Sequence, residues 1–291
     1  LVREDSDTSE LEKMPVELLI GDVTDLKGLT EGMAGCQQVY HLAALVPGST
    51  GDIDDFTRIN LGGTRNALDA AVANCVERFL YVSTVNVLGS KPGATLDERW
   101  RPEHPLHAGY DQSKADAEAL VREYSTGPLD TVTVNPATMF GPGRQRSIQI
   151  IEKFVTGGLR MIPDPGRPLS LVYVPDAAMG CIKAMEAGVR GERYILCNPP
   201  ITVRQFLTRL GGIAGVKPPR FSAPKWFVAA AVAAAWLLSP VTHRTPPVTV
   251  KGIWYGGTIY DAGRSIMELD MSYTELDRSL EATVEWIRSD Q

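Results

Sequence analysis

Residues 79–89 read FLYVSTVNVLG. Four apolar residues, Phe79 to Val82, are followed at once by two hydroxyls, Ser83 and Thr84. An apolar run this short, ended by polar residues, reads as a strand covered on both faces. The spacing predicts a strand over Arg78–Ser83. If its neighbours are parallel, its last residues lie at the sheet edge where open α/β sheets bind ligands. The surrounding chain decides that condition.

Outward from this strand, short apolar runs alternate with amphipathic stretches. Strands are expected at Val16–Ile20, Gln38–Leu42 and Thr131–Asn135, and helices at Leu26–Ala34, Asp54–Ala73 and Tyr110–Tyr124. In the long helix Phe56, Ile59, Ala67, Leu68, Ala71 and Val72 form most of one stripe. Strands separated by helices of this length give an α/β fold with a parallel sheet. Past about residue 141 the regularity loosens. Strands are expected at Ser170–Val174 and Arg193–Leu196, and helices at Asp176–Ala187, Thr202–Gly211 (capped by Thr202) and Tyr273–Ser289. Two interleaved lobes result: residues 1–141 with part of 169–196, and residues 142–168 with 197–291.

Bulk properties exclude several classes. A net charge of −6 over 291 residues lacks the basic footprint of nucleic-acid binding. The four cysteines, Cys36, Cys75, Cys181 and Cys197, form no CxxC and stand near no His pair, which implies a reduced, cytoplasmic chain without a metal. The longest apolar run, Trp226–Leu238, has 13 residues, against the roughly 20 a membrane span needs. Burial is favoured for it over contact with a membrane surface.

Tyr110 and Lys114 stand four apart in GYDQSKADAE, residues 109–118. On a helix they share a face. An ammonium beside the phenol is expected to lower its pKa and make it an acid/base near neutrality. The spacing alone is common on solvated helix faces. Its context is not: Thr84 and the loop Asn135–Met139, in VTVNPATMFGPG (132–143), come to the same edge of the same sheet.

With these pieces the sequence resembles the extended short-chain dehydrogenase/reductases, the NAD-dependent epimerase/dehydratases, and among them the dihydroflavonol reductase, 3β-hydroxysteroid dehydrogenase and hopanoid-associated epimerase-like group. The matching segments are VELLIGDVTD (16–25), VYHLAAL (39–45), INLGGTRNALDAA (59–71), YVSTVNVLG (81–89), YDQSK (110–114), NPATMFGPG (135–143), LVYVPDAA (171–178) and GERYIL (191–196). The ending at 260–287 is also similar. The resemblance implies a Rossmann-like sheet with a smaller C-terminal substrate-binding lobe, and NAD or NADP as cofactor.

By the same resemblance Thr84 bonds the substrate oxygen, Tyr110 is the acid/base, and Lys114 activates it and binds ribose. Asp22 and Val23 lie beside the adenine. Leu42, Ala43 and Ala44 run past the pyrophosphate and ribose, joined on the cofactor side by Ser83. Asn60 fixes that side of the site, and Pro136, Ala137, Thr138 and Met139 pack on the nicotinamide. His41 needs no catalytic role. A homodimer through helices 54–73 and 110–124 is implied as well.

The sequence departs from the family in lacking a strand followed by Gly-x-x-Gly-x-x-Gly, the turn that brings a helix N-terminus to the pyrophosphate. Gly62–Gly63 fall inside a helix, and Gly141–Gly143 sit elsewhere. The chain, which starts at Leu1, thus reads as a fragment without its first βαβ unit. Its loss strips Gln38–Leu42 of a parallel neighbour, cuts off Val16–Ile20 and weakens cofactor binding. Arg3 falls where the ribose 2′ group is read and leans toward NADP, with Glu4 beside it weighing the other way. The family's diphosphate-clamping Arg aligns with Leu169, and Arg167 is two residues off. This favours a hydrophobic alcohol or carbonyl substrate over a nucleotide sugar. A nucleotide-sugar epimerase/dehydratase and a non-catalytic NAD(P)-binding scaffold are the alternatives.

Overall fold

The structure, a computed structural model, describes residues 1–47, 49, 52–106, 109–143, 148–159, 161–219, 221–223 and 257–289, with Trp226, Ala230, Ala233 and Ala234 besides. The apolar stretch Trp226–Leu238 therefore lies largely outside the described residues. Among those described, no helix is long and apolar enough to cross a membrane.

The chain divides into two compact units, the first comprising Leu1–Val87, Pro105–Val134 and Ala184–Arg193, and the second the remainder. The main sheet has strands β1 (Gln38–His41), β2 (Arg78–Val82), β3 (Asp130–Pro136) and β4 (Arg193–Leu196), in that order. β3 and β4 each start in the first unit and end in the second. β2 pairs in parallel with β1 on one side, Phe79 opposite Val39, and with β3 on the other, Phe79 opposite Thr131. Parallel pairing is possible because helices carry the chain back between strands. The helices of the first unit are α1 (Leu26–Gly32), ahead of β1, and α2 (Ile53–Phe56), α3 (Gly63–Ala73) and α4 (Tyr110–Tyr124) between strands, with a π-helical segment, Thr57–Gly62, joining α2 to α3. The long helix expected over Asp54–Ala73 is thus continuous but widened in its middle. The core of this unit gathers Leu68, Ala71, Phe79, Tyr81, Ala117, Val121 and Leu129.

The strand expected at Val16–Ile20 does not form. Ile20 makes one isolated parallel bridge with Val2, supported by the Gly21 amide donating to Val2 O at 2.9 Å. Val16, Leu19 and Ile20 are exposed. A strand exists through its hydrogen-bonded neighbours, and a single bridge supplies too few. β1 is likewise the edge of its sheet, with Tyr40 and the following Leu42 exposed.

In the second unit the helices are α5 (Ile148–Val155), α6 (Val174–Ala187, running on into the first unit), α7 (Val203–Ala214), α8 (Gly263–Leu269) and α9 (Leu276–Ser289). α7 begins with the expected cap: Thr202 Oγ1 accepts from the Gln205 amide, and the Gln205 side chain accepts from the Thr202 amide. This reciprocal box satisfies two amides left free at a helix start. Phe140, Ile151, Phe154, Leu210, Leu280 and Val284 form the core here. Each large side chain of this kind contributes about 1.5–3 kcal/mol by burial. Helices α5 and α8 were not anticipated; both are short.

Candidate active site

The end of β2, the start of α4 and the π-helical segment meet in the first unit. α4 starts abruptly at Tyr110 because Gly109 holds φ +88°, a conformation L side chains rarely adopt. A Cβ there would also lie 3.3 Å from Phe56 Cδ2. The Phe56 ring meets Tyr110 edge-on, with centroids 6.4 Å apart, and so fixes the phenol's direction.

The inward face of α4 reads Ser113, Lys114, Ala117, Glu118, Leu120, Val121. Burying Lys and Glu on a helix face is rare unless each is paired. Lys114 Nζ donates to Val82 O at 2.8 Å, at the end of β2, and sits 4.1 Å from the centroid of the Tyr81 ring. Glu118, one turn further, accepts from Arg193 at 2.7 Å, and Arg122 lies 3.8 Å away. Thr84, just past the end of β2, is close enough to Tyr110 for its side chain to pull the phenol's pKa down.

Asn60 ties the corner together. Its side-chain oxygen accepts from the Leu45 amide at 2.6 Å, and its nitrogen donates to Leu45 O and to Ser113 Oγ. It thereby binds the segment after β1, which carries Leu42, Ala43 and Ala44, to the helix that carries Tyr110. A π segment shifts side chains off the regular helical register, and such segments recur at functional sites. His41 packs on Tyr81, with ring centroids 5.8 Å apart, and its Nε2 is 3.0 Å from Thr64 Oγ1. Thr64 spends its hydroxyl hydrogen on Asn60 O at 2.6 Å, so His41 Nε2 is the donor to Thr64.

Charge states follow from burial. Burial, then the Lys114 charge, pushes His41 down to about 3, leaving it neutral. Burial pushes Lys114 down to about 7, with Glu118 pulling the other way. Tyr110 is pushed up to about 12, by burial first and then by the Asp111 carboxylate, against the Thr84 hydrogen bond. The expected depression of Tyr110 by Lys114 is therefore overturned. The Lys114 ammonium is spent on Val82 O and the Tyr81 ring, while the phenol loses solvent.

The other anticipated residues are placed as follows. Asp22 accepts from the Thr24 amide and hydroxyl, and these bonds, with a smaller effect from Arg3, lower its pKa. Val23 packs so closely on α3 that a Cβ on Gly63 would lie 2.6 Å from it, and its carbonyl accepts from Asn66. Arg3 is exposed and paired with Asp5 at 3.4 Å. Pro136, Ala137, Thr138 and Met139 belong to the second unit, where the Ala137 amide donates to Leu196 O and Thr138 pairs with Leu171. Glu118, Arg193, Tyr81 and Ser113 were not singled out from sequence. Glu118 alone carried a readable signal, four residues beyond Lys114 and eight beyond Tyr110.

A nicotinamide cofactor fits this corner at one end. Among the described residues the Ser83 hydroxyl is buried without a hydrogen-bond partner, a cost that a bound ribose or water would relieve. At the pyrophosphate end the sequence offers no Gly-x-x-Gly-x-x-Gly turn.

Residues 1–192 match the profile of the 3-beta hydroxysteroid dehydrogenase/isomerase family. The chain belongs to that family. A Synechocystis protein provisionally named dihydroflavonol 4-reductase is 31% identical over 99% of this chain and 87% of its own length. Sterol demethylase protein B of Methylococcus capsulatus is 28% identical over 99% and 89%. The crystal structure of gox2253 superposes with a TM-score of 0.86 at 27% identity, covering 99% of this chain and 89% of that one. The fold is that of the extended short-chain dehydrogenase/reductases, and family members are NAD(P)-dependent oxidoreductases and epimerase/dehydratases.

Proposed function

We propose that the chain carries the proton-transfer half of an NAD(P)-dependent reductase acting on the carbonyl or carbinol of a hydrophobic substrate. The observation that carries this is the Tyr110–Thr84 pair at the end of a parallel strand, with Lys114 buried behind it. When bound, the nicotinamide would exchange hydride with the substrate carbon. Thr84 would orient the substrate oxygen and Tyr110 would protonate it. A phenol held up to about 12 keeps its proton throughout the neutral range, which suits the reducing direction. Lys114, near neutrality in its own titration, would bind ribose and help recharge the phenol.

Ser83, Asn60 and the 42–44 segment would hold the ribose side. Asp22 and Val23 would flank the adenine, and Pro136–Met139 would line the nicotinamide. Arg3 favours NADP through its position beside Asp22. The absence of the glycine turn leads to weak cofactor affinity for these 291 residues. Equilibrium titration of NADPH by its fluorescence tests this, and binding as tight as in ordinary reductases would refute it.

The hydrophobic substrate rests on Leu169 standing where a phosphate-clamping Arg would be. A panel of polycyclic and alkyl ketones against nucleotide sugars, followed by nicotinamide absorbance and product analysis, decides it. Because cofactor affinity is expected to be weak, the panel is run on the chain carrying a strand and Gly-x-x-Gly-x-x-Gly unit ahead of Leu1. Turnover confined to nucleotide sugars would favour the epimerase reading. Assembly as a homodimer through helices 54–73 and 110–124 is part of the same proposal, tested by light scattering.

A further inference from the structure

Asn86 lies two residues past Thr84, in the 3₁₀ turn Val85–Leu88. Its backbone amide donates to Thr84 Oγ1 at 3.3 Å, and its side-chain Nδ2 donates to Asp111 Oδ1 at 2.9 Å. Asp111 is the residue next to Tyr110. One residue thus bonds on both sides of the proton-transfer pair: its backbone amide to Thr84 at the strand end, and its side chain to the Asp111 carboxylate beside Tyr110 at the helix start. We propose that Asn86 and Asp111 are positioning residues that form a clamp, fixing Thr84 against Tyr110 and holding a negative charge beside the phenol. The inference rests on the reading of Tyr110 and Thr84 given above.

A carboxylate next to a phenol opposes ionisation of the phenol, because both charged forms are anions. The clamp therefore adds to burial in holding the phenol's pKa up. Asp111 is second only to burial among the influences that raise Tyr110. Among the described residues, Asp111 on its own helix and Tyr81 on β2 act electrostatically with Tyr110, Lys114 one turn on donates instead to Val82 O, and Phe56, from α2, adds an uncharged ring edge. A purely structural role for Asp111 makes a different prediction. It stands in the first turn of a helix whose Gly109 cap offers no side chain, and an acid there stabilises a helix through the helix dipole. Such a role would change stability without moving the Tyr110 titration.

The test is tyrosinate difference absorbance after rapid pH jumps, read before alkaline unfolding, on the 291-residue chain. Nine tyrosines require that each protein be referred to its Tyr110→Phe counterpart. Asp111→Asn is expected to lower the Tyr110 midpoint by about one pH unit. Asp111→Glu, which keeps the charge, should stay near wild type. Asn86→Ala should fall between them as the carboxylate swings toward solvent. A midpoint for Asp111→Asn equal to wild type overturns the proposal, and one for Asn86→Ala equal to wild type removes Asn86 from it. If Asp111→Asn does not fold, Asp111→Ser makes the same comparison. The titration needs no turnover. A shifted midpoint together with activity surviving Tyr110→Phe would sink the acid/base reading and leave the clamp standing.

Discussion

Two parts of the first unit have similar apolar sequence and opposite fates. Around Tyr110, Asn60, Lys114 and Glu118 are each at most 3% exposed, and each is held by a named partner. Between Val16 and Ile20 the chain is as hydrophobic as β2, yet Ile20 is 68% exposed and bridges only Val2. The difference lies in neighbours. β2 has a parallel strand on each side and helices over its faces, whereas the Val16–Ile20 segment has one residue to bond to. Apolar composition makes a segment fit to be a strand; a partner makes it one.

The sharpest way to break the well-held region is to orphan its buried ion pair. Glu118→Ala leaves the Arg193 guanidinium, whose side chain is 10% exposed, beside Arg122 without its carboxylate. A loss of about 3–5 kcal/mol is expected in urea unfolding, and a loss below about 1 kcal/mol would show that the pair holds little. Leu68→Ala, in the fully buried stripe of α3, should cost about 2–5 kcal/mol by the same measurement.

Lys114→Met asks a subtler question. Lys114 titrates near 7 when folded and near 10.5 when unfolded. Between those values the unfolded chain binds more protons, so wild-type stability rises as pH increases from about 7 to 10.5. Below about 7 the cost of the buried charge is fully present. Relative to wild type, Lys114→Met should therefore have its largest advantage in Tm below pH 7, shrinking as pH rises. A Tm difference independent of pH would mean that Lys114 is not buried as a strained cation. The smallest effect is expected at the poorly held edge: Ile20→Ser should change stability by no more than about 0.5 kcal/mol. A larger loss would show that the segment packs better than its exposure indicates.

The comparison also explains what the sequence made legible. The positions of β2, β3 and α4 followed from periodicity because those elements are covered on the sides their pattern demands, and β1 was found although it lies at the sheet edge with Tyr40 exposed. Val16–Ile20 misled because pattern reports what a segment can bury and not whether a neighbour is present. At the site, the spacing of Tyr110 and Lys114 placed both on one helix, and Thr84 at a strand end. It did not reveal that Lys114 turns to Val82 O, since a flexible four-carbon stem reaches several acceptors from one backbone position. Nor did it reveal the widened helical turn through which Asn60 reaches Leu45 and Ser113. Arg193 is 75 residues from Glu118, beyond any local pattern.

The central claim is that Tyr110 moves the proton. Its most direct test is ketone reduction by Tyr110→Phe against wild type, both in the chain preceded by a Gly-x-x-Gly-x-x-Gly unit, at saturating cofactor. The account predicts a fall in kcat of about 10²–10⁴-fold with cofactor Kd unchanged. A Tyr110→Phe protein that keeps kcat within a few-fold of wild type would contradict it.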